Sequence, residues 1–212
     1  MNLLLVHRGF PGQFEFLAPA LAARGHTVVA LTEQWDQPVV WQGVQVQPYR
    51  LQRQSTPGIH PWVADFETKV IRGEAALAIA LAWRERGFVP DVIVAHPAWG
   101  DALFLKDVWP QARLGMYCEF FPQARDAELG FDPSQPQDDP WAPSRQHVRT
   151  QHLWMQLPQA VAGLAPTHWQ ASTFPAPFRE RITVSMKGWT PRRWCPTPPC
   201  ASPCRPPRGR WC

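Results

Sequence analysis

A chain of 212 residues, 45% of them hydrophobic, is long enough to bury one sizeable core and too short for two domains of ordinary size. Its net charge of +4 is misleading, because Lys187 and five arginines beyond it supply six of the 21 basic residues, leaving 15 against 17 acidic over residues 1–185; a slightly acidic body argues against a phosphate-backbone partner, and no nucleic acid is expected. No run approaches the roughly 20 apolar residues that span a bilayer, and with Cys118 the one cysteine before residue 195 the usage is that of a reducing, cytoplasmic compartment.

In chain order, Leu3 to Val6 reads as a buried strand. A Gly/Pro turn, a helix from about Gln13 to Arg24 and a second buried strand from Thr27 to Leu31 follow, making a parallel, right-handed βαβ unit. Gly25 ends the helix where a left-handed residue is needed. Val44 to Tyr49 alternates as a more peripheral strand, and the polar "RLQRQSTPGIHP" after it reads as a loop. The longest helical pattern runs from Val63 to Arg86, with apolar positions at Val63, Phe66, Val70, Ala78 and Leu81. "DVIVAH" is a buried strand ending at His96; a loop and a short helix closed by Pro110 lead to a strand in "ARLGMYCEFF" that ends near Glu119.

The stretch "PQARDAELGFDPSQPQDDPWAPS" holds five prolines and no sustained period, so it reads as a long functional or mobile loop. A helix from about Arg145 to Leu157, a short buried strand in "AVAGLAP", a short helix capped near Thr167, another turn from Pro175 and a strand in "RITV" complete the body. Strand, helix, strand repeated throughout predicts an α/β, doubly wound, mostly parallel Rossmann-like sheet.

Beyond it the chain changes character. From Trp189 to Cys212 there are seven Pro, four Cys, five Arg and three Trp, with no Leu, Ile, Val, Phe, Asp or Glu, so nothing there can bury an apolar face. The expected division is a domain over 1–185 and a disordered, irregular tail over 186–212. Cys195, Cys200, Cys204 and Cys212 lack paired C-x-x-C knuckles and have no His nearby, so no metal site is expected.

In an open parallel sheet ligands bind where strands end and their order reverses. Three places qualify. In "HRGFPGQF", Gly9 and Gly12 let backbone approach a ligand and a helix starting near Gln13 would offer free N–H groups to an anion; the alternative is a tight turn alone. The motif lacks the third glycine of a dinucleotide fingerprint, and Glu33 after the second strand leaves only a distant nicotinamide reading. In "AHPAWGDA", His96 can exchange a proton or donate to a sugar hydroxyl, Trp99 can stack on a pyranose, and Gly100 with Asp101 opens the next helix; the alternative is a backbone-satisfied histidine and a tryptophan plug. In "YCEFF", Glu119 is costly to bury unless it faces a cleft or pairs with Arg125 or Arg149. Arg145, His147, Arg149 and His152 read as a solvated helix face.

"HRGFPGQFEFLAPALAARGHTVVALT", "HPAWGDALFLKDVWPQARLGMYCEFF", "GFDP" and "APTHWQASTFPAPFRERITV" together closely resemble the N-terminal domain of a bacterial branch of family-four glycosyltransferases, over Met1 to Val184. The resemblance implies a GT-B architecture of two Rossmann-like domains and retaining transfer from a nucleotide-sugar. It also implies that this domain supplies the acceptor side of the cleft for a saccharide or other small molecule, and binds no cofactor alone. On that pattern the loop carrying Gly12 and Gln13 approaches the donor diphosphate and His96 helps position the reacting sugar, the expected catalytic residue; from the reading of the strand ends, Gly9, Phe14, Trp99, Gly100 and Glu119 join the expected substrate-binding set. Peripheral membrane association of the complete enzyme and self-association through an exposed cleft face belong to the same expectation.

Family members continue after the last strand with a sequence like "HEGIDT" and a second domain, which this chain lacks. Reread two bases downstream within each codon, with Ser185 as an AGY codon, residues 185–198 admit "HEGVDT…VPDP" at every position, which points to a single-base deletion near Ser185. The competing expectations are a stand-alone Rossmann-like module that binds a saccharide or protein without catalysis, and a redox or metal protein that uses the tail cysteines.

Overall fold

The structure, a computed structural model, describes residues 1–123 and 139–185. The Cys/Pro/Arg-rich tail and most of the five-proline segment lie outside the described residues, as does Arg125.

Eight strands form one sheet: β1 (Asn2–Val6), β2 (Thr27–Thr32), β3 (Val39–Trp41), β4 (Val44–Pro48), β5 (Val92–Ala95), β6 (Arg113–Tyr117), β7 (Ala160–Ala165) and β8 (Ile182–Val184). Their order is β3-β4-β2-β1-β5-β6-β7-β8, and every pairing is parallel except β3 with β4. The α/β, mostly parallel Rossmann-like sheet expected from the sequence is the one observed. Leu4, Leu5 and Val6 have no exposed surface. Alternate residues of β1 serve opposite cores: Leu4 and Val6 face a large cluster with Ile93, Leu114 and Met116, while Leu3 and Leu5 face a smaller one with Phe10, Phe14 and Ala18. Burial on both faces is why these strands read as unbroken apolar runs.

The helices are α1 (Leu17–Ala23), α2 (Pro61–Glu85), α3 (Leu105–Val108), α4 (Ala142–Arg149), α5 (Gln151–Gln156), α6 (His168–Thr173) and α7 (Ala176–Arg179). Four sequence expectations change. The helix expected from Gln13 is a 3-10 turn, Gly12–Phe14, followed by α1 from Leu17. Pro19 then falls in the first turn, where a missing N–H costs nothing; a start at Gln13 would have placed it in the interior. The strand β3 is additional: Gln42 and Gly43 both adopt positive φ, 47° and 83°, the geometry of a two-residue hairpin loop.

The long helix α2 starts at Pro61, with the His60 side chain accepting from Trp62 N–H at 3.3 Å. Its buried stripe is Ile71, Arg72, Gly73, Ala75, Ala76 and Ala80 rather than the larger apolar positions expected. Small residues win there because the helix lies close against its neighbours: a Cβ on Gly73 would sit 2.9 Å from the Phe104 ring and 3.0 Å from the Gly100 carbonyl. The helix expected over Arg145 to Leu157 divides at Thr150, whose hydroxyl donates back to the carbonyls of Gln146 (3.0 Å) and His147 (3.2 Å), a local bond that bends helices. His152 is consequently buried, and the expected solvated strip is split between an exposed and a buried part. Among the described residues no helix is long and apolar enough to cross a membrane.

Candidate functional site

The chain leaves β1 outward through β2 and β4, then returns to β5 on the other side of β1. The switch point therefore lies at the carboxyl ends of β1 and β5, where ligands of open α/β sheets bind. His7 follows β1, His96 follows β5, and Glu119 stands two residues past β6.

These three groups and Gln13 form one hydrogen-bonded chain. Gly9 N–H donates to His7 Nδ1 at 3.0 Å, so the neutral ring carries its proton on Nε2, which donates to Gln13 Oε1. The Gln13 amide nitrogen donates to both Glu119 oxygens, at 3.3 and 3.2 Å. On the other side Ala98 N–H approaches His96 Nδ1 at 3.4 Å, and His96 Nε2 donates to Glu119 Oε2 at 2.8 Å. Gln13 and His96 thus both donate to one carboxylate. The Glu119 side chain keeps 44% exposure while that of His96 has 3%, so the chain ends on a group open to a bound molecule.

Packing holds the imidazoles in place. Trp99 stacks on His96 with ring centroids 4.3 Å apart and planes 28° apart, Tyr117 flanks the same ring at 5.8 Å and 30°, and His7 meets His96 and Trp99 edge-on at 5.3 and 4.9 Å. Gly12 is what lets the loop close on His7. Its φ is +44°, and a Cβ there would lie 2.4 Å from His7 Cε1.

Burial lowers the proton affinity of His7, to a pKa of about 4, with the neighbouring His96 acting in the same direction. Burial also lowers that of His96, against the opposing pull of Glu119. Both rings are therefore neutral N–H donors at neutral pH, suited to binding hydroxyls and to positioning.

The same burial sets a pH dependence of stability. His7 and His152, both held near 4 by desolvation, stay neutral in the fold where the unfolded chain already protonates, so their contribution is present above about pH 6.5 and is lost as pH falls toward 4. Asp101 acts with the opposite sign: burial raises its carboxyl to about 6, so its contribution is lost as pH rises through 6. Two imidazoles outweigh one carboxyl. Thermal melts are expected to show a Tm several degrees lower at pH 5 than at pH 7; equal values would contradict buried neutral imidazoles.

The cluster opens onto a cavity of about 410 Å³ lined by His7, Arg8, Gly9, Glu33, Gln34 and Trp99. Its two walls are tied by Thr32, fully buried, whose hydroxyl donates to Arg8 O (2.7 Å) and accepts from Phe10 N–H and Gln34 N–H (both 3.2 Å). A cavity of about 440 Å³ between β4 and the end of α2 is lined by Val46, Trp83 and Phe88 among others and carries no ionisable side chain.

Of the residues expected from sequence, His96, Glu119, Gln13 and Trp99 meet in one place, with Gly9 and Gly12 as the backbone against His7. Two others lie elsewhere. Phe14 is buried in the smaller core, edge-on to His7 and Tyr117. Gly100 packs against α2, where a Cβ would lie 2.4 Å from the Lys69 carbonyl oxygen. Asp101 does not cap a helix either, since α3 starts at Leu105; it is buried and accepts from the Tyr49 hydroxyl at 2.7 Å. Glu33 is taken by two guanidiniums, Arg8 at 2.8 Å and Arg72 at 3.0 Å.

His7, Arg8 and Gln34 were not foreseen. A histidine directly after the first buried strand, facing Gly-x-x-Gly, was the available signal for His7. The buried Cys118 has its thiol pushed up to about 12 by burial, which makes it unreactive, and among the described residues no group of three or more His, Cys, Asp or Glu is placed to hold a metal ion. The tail cysteines lie outside the described residues.

Residues 24–193 match the family described as Glycosyl transferase family 4 group. Among solved structures, the chain is similar to the Phytolacca americana UGT2 complexed with UDP-2fluoro-glucose and pterostilbene, at TM-score 0.53 and 14% identity, covering 88% of this chain and 54% of that one. It is also similar to the catalytic domain of starch synthase IV from Arabidopsis thaliana bound to ADP and acarbose, at TM-score 0.54 and 13% identity, covering 87% and 51%. At such identities the likeness is one of fold, and this chain spans about half the length of those structures. No curated protein sequence matches it.

Proposed function

This chain belongs to the Glycosyl transferase family 4 group, and from that premise we propose that residues 1–185 are the acceptor-side half of a retaining, nucleotide-sugar-dependent glycosyltransferase. The observation that carries the reading is the convergence of His7, Gln13, Glu119 and His96 at the switch point of the sheet. In the complete enzyme a second domain would close over this edge and bring the nucleotide-sugar. The His96–Glu119 pair would hold the reacting sugar and acceptor hydroxyl in register while the diphosphate leaves on the same face. Most of the rate acceleration then comes from positioning and from stabilising the departing phosphate charge.

The tail is part of the proposal. The shifted-frame reading of residues 185–198 gives a family-like continuation. We ascribe residues 186–212 to a frameshift and expect the isolated chain to transfer nothing. Restoring one base near codon 185, together with the downstream gene, is expected to yield a protein that consumes a nucleotide-sugar, while the 212-residue chain does not. Turnover by the 212-residue chain, or a gene whose frame runs correctly through codon 185, would refute the frameshift. The cleft face that a second domain would cover is the surface through which the half-enzyme would self-associate.

A further inference from the structure

We infer that Gln156 of α5 is a positioning residue for His96, acting through the carbonyl of Pro97 to hold the turn that carries the imidazole; its effect on catalysis rests on the reading above. Gln156 is 1% exposed. Its amide nitrogen donates to two backbone carbonyls, His152 O at 2.8 Å in its own helix and Pro97 O at 3.1 Å, 59 positions away in the chain. A buried side chain that donates twice has to be an amide here: a carboxylate of the same shape would set charge against two carbonyls, and a hydroxyl has one hydrogen to give. Gln156 Oε1 has no hydrogen-bond partner among the described residues. An unpaired buried acceptor is costly, so it is the donors that account for a glutamine at this position.

The bond reaches the imidazole because the two residues it acts through are stiff. The ring of Pro97 fixes its φ, and a residue before proline is confined to extended backbone, as His96 is at φ −86° and ψ 112°. Pinning the Pro97 carbonyl therefore fixes the direction in which the His96 side chain leaves the backbone. The far end of the turn, Gly100, is held by α2, where an added Cβ would lie 2.4 Å from Lys69 O. Between these two grips Trp99 stacks on His96 at 4.3 Å and His96 Nε2 donates to Glu119 Oε2 at 2.8 Å. A turn loosened at Pro97 changes both contacts.

The break at Thr150 is what gives α5 its own direction, and His152 and Gln156, four residues apart, share its buried face. A second buried glutamine provides the comparison. Gln146 of α4 is 5% exposed, and its amide nitrogen has no hydrogen-bond partner among the described residues. It matches Gln156 in burial and has no bond to the turn.

The test uses the ¹³C,¹⁵N-labelled 212-residue chain and the His96 Cε1 proton, assigned by its disappearance in His96→Gln. A proton over an indole face resonates upfield and loses that shift when the rings part. Gln156→Met keeps the length of the side chain and removes both donors; it is expected to move the His96 signal toward its unstacked position. Gln146→Met is expected to leave the signal in place, whatever it does to Tm. Pro97→Ala keeps the carbonyl and frees the φ next to His96, so it too is expected to move the signal, and it decides the matter if Gln156→Met does not fold. A His96 signal unmoved in Gln156→Met or in Pro97→Ala, or moved as far in Gln146→Met, overturns the inference. In the frame-restored enzyme Gln156→Met should lower kcat and kcat/KM together by about 10- to 100-fold, the effect of a small misplacement of a reacting group. A moved signal with wild-type kcat upholds the positioning of His96 and rejects His96 as part of the reacting centre.

Discussion

Glu119→Gln in the frame-restored enzyme is expected to lower kcat by about 10²- to 10³-fold, within the range that a single positioned proton-transfer or hydrogen-bonding group supplies. The substitution preserves size and removes the acceptor. Glu119 now takes N–H groups from His96 and from Gln13; an amide offers one oxygen for both and turns its NH₂ toward the Gln13 donor that spans the two carboxylate oxygens. His96 then loses its fixed tautomer and orientation, and Gln13 lets go of His7 Nε2. Because the Glu119 side chain is 44% exposed, water can satisfy what is left, and the loss of Tm should be small. That combination, a large fall in kcat with a nearly unchanged melt, separates a positioning role from a structural one. The isolated chain offers a second readout: the Glu119 carboxylate raises the proton affinity of His96, so Glu119→Gln should move the His96 titration to still lower pH. Wild-type kcat in the variant would dismiss the cluster as the reacting centre.

Much of the fold was written in local pattern. Apolar runs buried on two faces, each followed by a helical period, specify a parallel sheet, and Leu3 to Val6, Thr27 to Leu31 and "DVIVAH" announced the three central strands within a residue or two. The sites of failure share a cause: tertiary packing chose among local options. Four of the six buried residues of α2 are alanine or glycine, with Gly73 close against Phe104 and Gly100, and closeness is not visible in hydropathy. The break at Thr150 comes from a hydroxyl bonding its own backbone, a choice any mid-helix threonine has and few take.

For the candidate site, strand ends pointed to His96 and Glu119, since a protonatable or charged side chain after a buried strand is conspicuous. What sequence could not give was the partner of each. Glu119 was expected to face a cleft or to pair with an arginine, and among the described residues it gathers N–H donors from a histidine and a glutamine; Gln13 looked like a helix start and is the bridge between His7 and Glu119. The two glycine motifs also divided differently than their spelling suggests, since Gly12 makes room for an imidazole and Gly100 for a helix backbone.

Gly100→Ala is the substitution expected to cost this fold most. At φ +89° the residue is left-handed, where an added Cβ strains the backbone by roughly 1–2 kcal/mol. The same Cβ would lie 2.4 Å from Lys69 O, 2.7 Å from Lys69 Cβ and 2.8 Å from Lys69 C. Two of these are backbone atoms in the middle of α2 that cannot rotate away, so the helix itself must retreat, and overpacking of that kind adds about 1–3 kcal/mol. Together these reach roughly 2–5 kcal/mol against a total stability of about 5–15 for an ordinary domain, a fall in Tm of about 10 °C for a domain of this size. Gly58 separates the two contributions. It is also left-handed, at φ +78°, with nothing within 4 Å of an added Cβ, so Gly58→Ala should lose only the backbone part, a few degrees. The larger loss at Gly100 carries a consequence for the site, because Gly100 closes the turn Pro97–Trp99 that follows His96. A retreat of α2 moves the Trp99 plane off the His96 ring, and the His96 titration should shift with it even in the fraction that stays folded. Equal melts for the two alanine variants would mean that the contact with α2 does not hold the loop.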